Sequence, residues 1–442
     1  MAPQLRFTPF LLLRGFAAAK TCTNLTIPVN IESRQGLFKT IPFEGNLDAT
    51  TFSQEFTNIG QNYSNVLLKD YQTVRGQYKI SAKFCHPDNG TTSSVVQVLT
   101  HGIGFDKSYW DLPFNNYNYS YTDRAISHGY STLAIDRLGI GNSSHGDPIN
   151  VIQAQAEVEA LNDITGLLRN GSVPSIDTSF HKVVHVGHSF GSVQSYWLSA
   201  LYPDNTDGLI LTGWSTNGTW LPATIASWNL HLARLNQPLR FGNSSNSGVL
   251  NLIKNDNQGE GLIKTILTLL QSVEVDLPNQ DIWDVIATTE VGDLINGYNQ
   301  TIEPLNYPGG YMAWSDFTAN QYAFLLPGYY DLALGLFAER TKQPVTAGEL
   351  LTIGSSPPSS SFSGPVLVVT GEQDAIFCGG DCYATGSAAD SIPAAAEVAF
   401  PNASVFEAYI QPNTGHGLNA HYNSTGAYEV IQNWLEDHGL ES

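Results

Sequence analysis

Charge is scarce in this sequence. Only 14% of its 442 residues are Asp, Glu, Lys or Arg, and the 40 acidic residues outnumber the 20 basic ones, for a net charge of −20. A chain this acidic, with no basic patch, repels nucleic-acid phosphates and anionic lipid headgroups, which excludes nucleic acid as a partner. Long apolar runs are missing too. The longest are strand-sized, far short of the roughly eighteen residues a membrane-spanning helix needs. Cysteine is limited to Cys22, Cys85, Cys378 and Cys382. A metal site built on them would lack a second ligand pair near either cluster, so disulfides are the expectation. Three full pairings are open, of which 22–85 with 378–382 is favoured.

What is present is a 42% hydrophobic chain, enough for a large core, whose polar surface comes from Asn, Ser, Thr and Gln more than from charge. That surface suits an extracellular protein. Residues 1–19 read as a secretory signal, with Arg6 in the basic part, Phe10 to Leu13 apolar and Ala17-Ala18-Ala19 as a small-residue cleavage site, although Arg14 interrupts the apolar stretch. Glycosylation triplets agree with secretion. They begin at Asn24, Asn62, Asn89, Asn118, Asn142, Asn170, Asn217, Asn243, Asn299, Asn402 and Asn423, each Asn-X-Ser/Thr without proline.

From Ser94 onward, buried-type strands alternate with helix-like segments. Ser94–Thr100, Tyr130–Ile135, Val183–Val186 and Gly208–Trp214 read as strands, with helices at Tyr121–His128, Val151–Leu168 and Ser192–Leu201 between them. Such alternation predicts an α/β fold with a mostly parallel sheet. Two extended stretches, Leu25–Ile31 and Arg75–Phe84, precede it as leading antiparallel strands within residues 20–92. At Ser215 the rhythm breaks. Residues 216–362 carry helix-like segments at Ile225–Leu235, Gly261–Leu270 and Ile282–Leu294 and many aromatics: Trp220, Trp228, Trp283, Tyr311, Trp314, Phe317, Tyr322, Phe324, Tyr329 and Tyr330. Any one of these is expected to be core, while some line a ligand cavity if the insertion caps the site. A Ser/Pro-rich linker, Gly354–Pro365, returns the chain to the sheet, where Val366–Thr370 and Ser404–Ile410 are strands and Ala427–Glu436 is the closing helix.

The chemistry gathers on four loops. Gly187-His188-Ser189-Phe190-Gly191 matches G-x-S-x-G, a weak signal alone, but here a β-branched strand precedes it and a helix follows. Gly187 and Gly191 are needed because a Cβ would crowd a sharply bent backbone, and the bend lifts Ser189 above the strand ends. His101-Gly102-Ile103-Gly104 ends the first parallel strand. It is either a plain turn or one half of an oxyanion site, with the N–H groups of Ile103 and Phe190 as donors. Asp136, at the next strand end, reads as a carboxylate paired locally with Arg137 or capping its loop. Asp374 or Glu372 is the acid after the seventh strand, and His416, between Gly415 and Gly417, is the base, with His421 as its rival.

Together these residues resemble the α/β-hydrolase family, in which nucleophile, acid and histidine follow the fifth, seventh and last strands. The likeness covers residues 93–215 and 363–442. The stretches H-G-I-G-F-D-x-S-Y-W-D, D-R-L-G-I-G-N-S-S, G-H-S-F-G-S and T-G-H-G-L-N look like secreted fungal members that carry a helical cap, here residues 216–362. The resemblance implies an α/β-hydrolase fold in which Ser189 is nucleophile, His416 base, Asp374 its orienting acid and Ile103 with Phe190 the oxyanion hole, acting without metal or organic cofactor on a small, apolar ester. A lactone, an amide or a carbon–carbon bond would suit the same triad, and a binding protein that lost turnover is the reading from another class.

Overall fold

The computed structural model describes residues 20–88, 93–242 and 305–442. The expected signal at 1–19, the triplets at Asn89, Asn243 and Asn299, and the helix-like segments at 261–270 and 282–294 with Trp283 lie outside the described residues.

β-Branched runs too short for helices become strands buried on both sides. In chain order the elements are β1 (Lys20–Phe38), β2 (Leu68–Pro87), β3 (Val95–Thr100), β4 (Ser131–Ile135), β5 (Lys182–His188), β6 (Gly208–Thr212), β7 (His231–Leu232), β8 (Tyr311–Ala313), β9 (Val345–Thr346), β10 (Pro365–Gly371) and β11 (Val405–Gln411). Eight of them form one sheet in the order β1-β2-β4-β3-β5-β6-β10-β11. All pairings from β4 to β11 are parallel, whereas β1–β2 and β2–β4 are antiparallel. Alternation of side chains sends Val96, Val183, Leu209 and Val366 to one core, under helices Ala154–Arg169 and Phe190–Leu201. Val95, Val184, Ile210 and Leu367 go to the other, with helices Tyr121–Ser127 and Ser424–Asp437. Continuous apolar strands are what a sheet covered on both faces requires.

The leading strands are far longer than expected. β1 and β2 pair from Lys20↔Pro87 to Phe38↔Leu68, and a disulfide joins the register pair Cys22–Cys85. Alternating burial along β1 explains the length, because one face of the hairpin packs on helix Ala154–Arg169 while the other stays in solvent.

The described part of residues 216–362 is not purely helical. Its expected helix at 225–235 is broken into a helix at Leu221–Ser227, a left-handed Asn229, strand β7 and a single helical turn at Ala233–Asn236. Pairing decides the matter, since β7 and β9 flank β8 in a small antiparallel sheet. Helical periodicity lost to an available strand partner.

Arg137 departs from its expected partner. Asp136 accepts from the N–H and Nζ of Lys107, at 2.9 and 2.6 Å, and from the Asn142 N–H at 3.3 Å, the last of which caps its own loop. Arg137 turns inward, fully buried, to Glu157 at 2.9 Å and to Glu349, with its guanidinium 4.8 Å from the Phe190 ring centroid. Burial, reinforced by Glu349, pushes the Glu157 carboxyl well above its usual range despite Arg137. This cluster ties the end of β4 to two helices and to the residue after Ser189. Arg137→Met leaves Glu157 and Glu349 without a cation, so it is expected to cost about 3–5 kcal/mol. Equilibrium denaturant unfolding of the purified variant measures it, and a loss below about 1 kcal/mol would assign the cluster no structural weight.

Candidate active site

The loops at the carboxyl ends of β3, β5, β10 and β11 converge. β5 enters a turn so tight that Ser189 takes φ 54° and ψ −117°, a strained conformation for a residue with a side chain. Both flanking glycines are forced. A Cβ on Gly191 would lie 2.1 Å from the Thr100 carbonyl oxygen, and one on Gly187 2.5 Å from the Gly191 oxygen. The β3 loop passes just as close, for a Cβ on Gly102 would lie 2.9 Å from Cβ of Ser189. Ile103 follows at once. Phe190 is the first residue of its helix, so its N–H is one of the groups the helix cannot pair. Among the described residues neither the Ile103 nor the Phe190 N–H has a hydrogen-bond acceptor.

Asp374 is fully buried and surrounded by donors. Its Oδ1 accepts from the N–H groups of Ile376 (2.8 Å) and Phe377 (2.9 Å), and its Oδ2 from the Thr370 hydroxyl (2.7 Å) and His416 Nδ1 (2.8 Å). Burial alone would raise this carboxyl, but His416 and the other donors outweigh it and hold the group below the usual range. With Nδ1 donating to a carboxylate, His416 is left with Nε2 as its lone-pair nitrogen. That Nε2 is buried and has no partner among the described residues, so Ser189 Oγ is not bonded to it in this structure. Glu372, the rival acid, is engaged by the Asn413 N–H at 3.0 Å. His421, the rival base, has both nitrogens committed to backbone groups.

Cys378 and Cys382 are bridged, and their loop wraps the acid: the N–H groups of Cys378 and Gly380 donate to the Asp374 carbonyl at 3.2 and 2.9 Å. Three features were not foreseen from sequence. His188, whose ring centroid lies 4.9 Å from that of His416, stacks on Tyr109 and donates Nδ1–H to Thr212, whose own hydroxyl donates to Gly187. Burial, then the neighbouring His416 and His101, drives its pKa well below the ordinary value, so it stays neutral. His101 is also structural, accepting from Arg137 N–H and bonded to Gly102 O; burial and Arg137 push it down to about 3. The third is Trp314, whose ring would lie 1.8 Å from a Cβ on Gly104.

Beside His416 opens a cavity of about 340 Å³, lined by Gln321, Tyr322, Phe324, Leu326, Gln373 and His416. Of the described aromatics between residues 216 and 362, Tyr322 and Phe324 line it, and Trp314 and Trp228 back Phe324 at 5.1 and 6.2 Å between ring centroids. Tyr311 lies elsewhere, stacked on Tyr307. Six triplet asparagines, at 24, 62, 118, 142, 170 and 402, are exposed; Asn217 is half-buried, and Asn423 donates its amide to the Pro412 carbonyl.

The chain is similar to several known proteins. A Haemophilus influenzae protein provisionally assigned as an esterase/lipase is 26% identical over 160 residues, 36% of this chain and 48% of that protein, so the match spans about half the relative's length. Among solved structures, an esterase from Thermogutta terrifontis (14% identity, TM-score 0.41) covers 83% of this chain and 96% of its own. The ferulic-acid-bound Est1E of Butyrivibrio proteoclasticus (12%, 0.40) covers 82% and 96%, and a Vigna radiata epoxide hydrolase (13%, 0.40) covers 81% and 93%. Residues 97–425, from β3 through the loop that bears His416 and so well over half the chain, match the family model described as the alpha/beta hydrolase family, and with the sheet order and the strained turn after β5 this establishes that the chain belongs to that family.

Proposed function

We propose that the protein is a secreted serine hydrolase that cleaves carboxylic esters by acyl transfer, with Ser189 as nucleophile, His416 as base and Asp374 as the acid that orients it. One observation carries the reading: a buried Asp374–His416 pair leaves an unpartnered Nε2 on a ring 4.9 Å from that of His188, the residue that precedes a serine held on a strained turn. His416 Nε2 takes the Ser189 proton, the oxygen attacks the ester carbonyl, and the N–H groups of Ile103 and Phe190 hold the oxyanion. The alcohol departs with the proton from His416. Water, deprotonated by the same imidazole, then attacks the acyl carbonyl; the bond to Ser189 Oγ breaks, the acid leaves and the proton on His416 returns to Ser189, while Asp374 stabilises the transient imidazolium.

Residues 216–362 are read as the cap, whose Tyr322 and Phe324 favour apolar groups. Secretion, cleavage of a signal at 1–19 and a likeness to capped fungal enzymes belong to the same proposal. Two disulfides and six exposed glycosylation triplets support it.

Ser189→Ala and His416→Ala are each expected to lower turnover of a short chromogenic ester by about 10⁴-fold, and a fluorophosphonate probe should label the parent but not Ser189→Ala. A Ser189→Ala protein with a tenth of parental activity, roughly a thousandfold more than this predicts, would overturn the nucleophile assignment. Across esters from acetate to octanoate, each methylene that finds apolar cover adds about 0.8 kcal/mol, close to fourfold in kcat/KM, until the cavity is full. A flat profile would sink the apolar substrate class, and a lactone and an amide in the same panel test the bond type. In Cys378→Ser/Cys382→Ser, turnover should fall more than melting temperature. So small a loop removes little chain entropy, less than the roughly 3 kcal/mol of a fifteen-residue loop, whereas misplacing Asp374 by about 1 Å costs on the order of a hundredfold in rate. Unchanged turnover would deny the bridge a role in holding the acid.

A further inference from the structure

The rival histidine is fully buried and makes three hydrogen bonds, all to backbone. His421 Nδ1 donates to the Gly417 carbonyl at 2.9 Å, and its Nε2 accepts from the N–H groups of Leu326 at 3.0 Å and Gly415 at 3.1 Å. Backbone N–H groups only donate, so Nε2, facing two of them, carries no proton, and the ring is neutral with its hydrogen on Nδ1. Burial agrees, pushing its pKa down to about 4. Its one lone pair is therefore occupied, and it has none to offer a substrate.

Its partners are the two residues on either side of His416 and one residue of the inserted segment. That segment lies directly on the loop: Gly417 N–H donates to the Phe324 carbonyl at 2.7 Å, Tyr422 N–H donates to Tyr329 at 3.0 Å, and Tyr330 forms a bridge with His421 itself. A Cβ on Gly415 or Gly417 would stand only 3.0 Å from the Phe324 oxygen, close enough that the segment would have to shift by a few tenths of an ångström to admit it. The Phe324 ring in turn faces His416, with 5.7 Å between centroids, and Phe324 and Leu326 line the cavity.

We infer that His421 is a positioning residue, which clamps the loop on both sides of His416 and fastens it to the inserted segment, so that the base and the wall of the substrate cavity share one anchor. The inference rests on the reading of His416 as the base. It assigns the insertion a second task besides selecting substrate, since without Leu326 and Phe324 the loop that bears the base loses two of its backbone contacts.

Three variants of the full-length protein test it. His421→Leu keeps much of the volume and none of the polarity, His421→Gln keeps an acceptor near the position of Nε2, and His421→Asn keeps only a donor near Nδ1. Kinetics on a short chromogenic ester are expected to show kcat for His421→Leu lowered about ten- to a hundredfold with KM within about twofold, because a displaced base weakens the transition state more than binding. His421→Gln should recover part of that loss and His421→Asn should not. The low-field proton resonance of the His416–Asp374 bond should broaden in His421→Leu and stay sharp in His421→Gln. A kcat for His421→Leu within about twofold of the parent, or His421→Gln no better than His421→Asn, would overturn the inference. Should His421→Leu fail to fold, the Gln and Asn pair decides. The parent and Ser189→Ala are run alongside: an inert parent, or a Ser189→Ala protein that keeps turnover, defeats the hydrolase reading instead, and the proton resonance then decides the role of His421.

Discussion

No side chain fits at Gly187 or Gly191. The carbonyl end of β3, the turn after β5 and the first turn of helix Phe190–Leu201 are pressed together so closely that a single Cβ would meet backbone at 2.1–2.5 Å. That contact forces Ser189 into its left-handed conformation, at an expense of about 1–3 kcal/mol that only a well-packed surround can sustain. The surround is visible: Val183, Val184 and Val186 fix the strand, and the helix that follows is buried along most of its length. From this one constraint follow the lifted serine, the free N–H of Phe190 and the seat of the β3 loop beside it.

The inserted segment is held to the same loops by buried polar groups. Trp314 fills the space above Gly104, its indole donates to Glu339 at 2.6 Å, and Lys342 closes the set by donating to the Trp314 carbonyl at 2.9 Å and pairing with Glu339. Gln343 then bonds the Gly104 carbonyl and the Asp106 carboxylate. Such groups add little net stability over an apolar core, but a single misplaced partner leaves a charge or donor stranded, so they penalise any other docking of the segment. Below, Glu349 reaches Arg137, and above, Leu326 reaches His421. The wall of the cavity is thus registered on the proposed oxyanion loop, on helix Phe190–Leu201 through Arg137, and on the loop that bears His416.

Much of the fold was legible because parallel strands buried on both faces must be apolar throughout, and β3, β4, β5, β6 and β10 announce themselves that way. β1 and β2 were read too short, since their alternation passes in and out of polar stretches that a window on sequence cannot connect. Residues 225–235 read as one helix by sequence because β7 is only two residues long and exists only through β8, some eighty residues away in the chain.

Ser189, Asp374 and His416 stood out by sequence because each lies at a strand end beside glycine or a tight turn, and that local signal depends on nothing distant. Sequence also determined the order of strands and helices and the close-packed glycines, since those are set by side-chain size and apolar periodicity. Which acid reaches the histidine was decided only by the tertiary structure: Asp374 and Glu372 are two residues apart, and the choice rests on where β10 leaves each side chain relative to the β11 loop. The partners of Arg137 and the commitment of His421 were decided the same way. A buried polar atom takes whichever partner the packed chain brings within about 3 Å, and no local pattern records that.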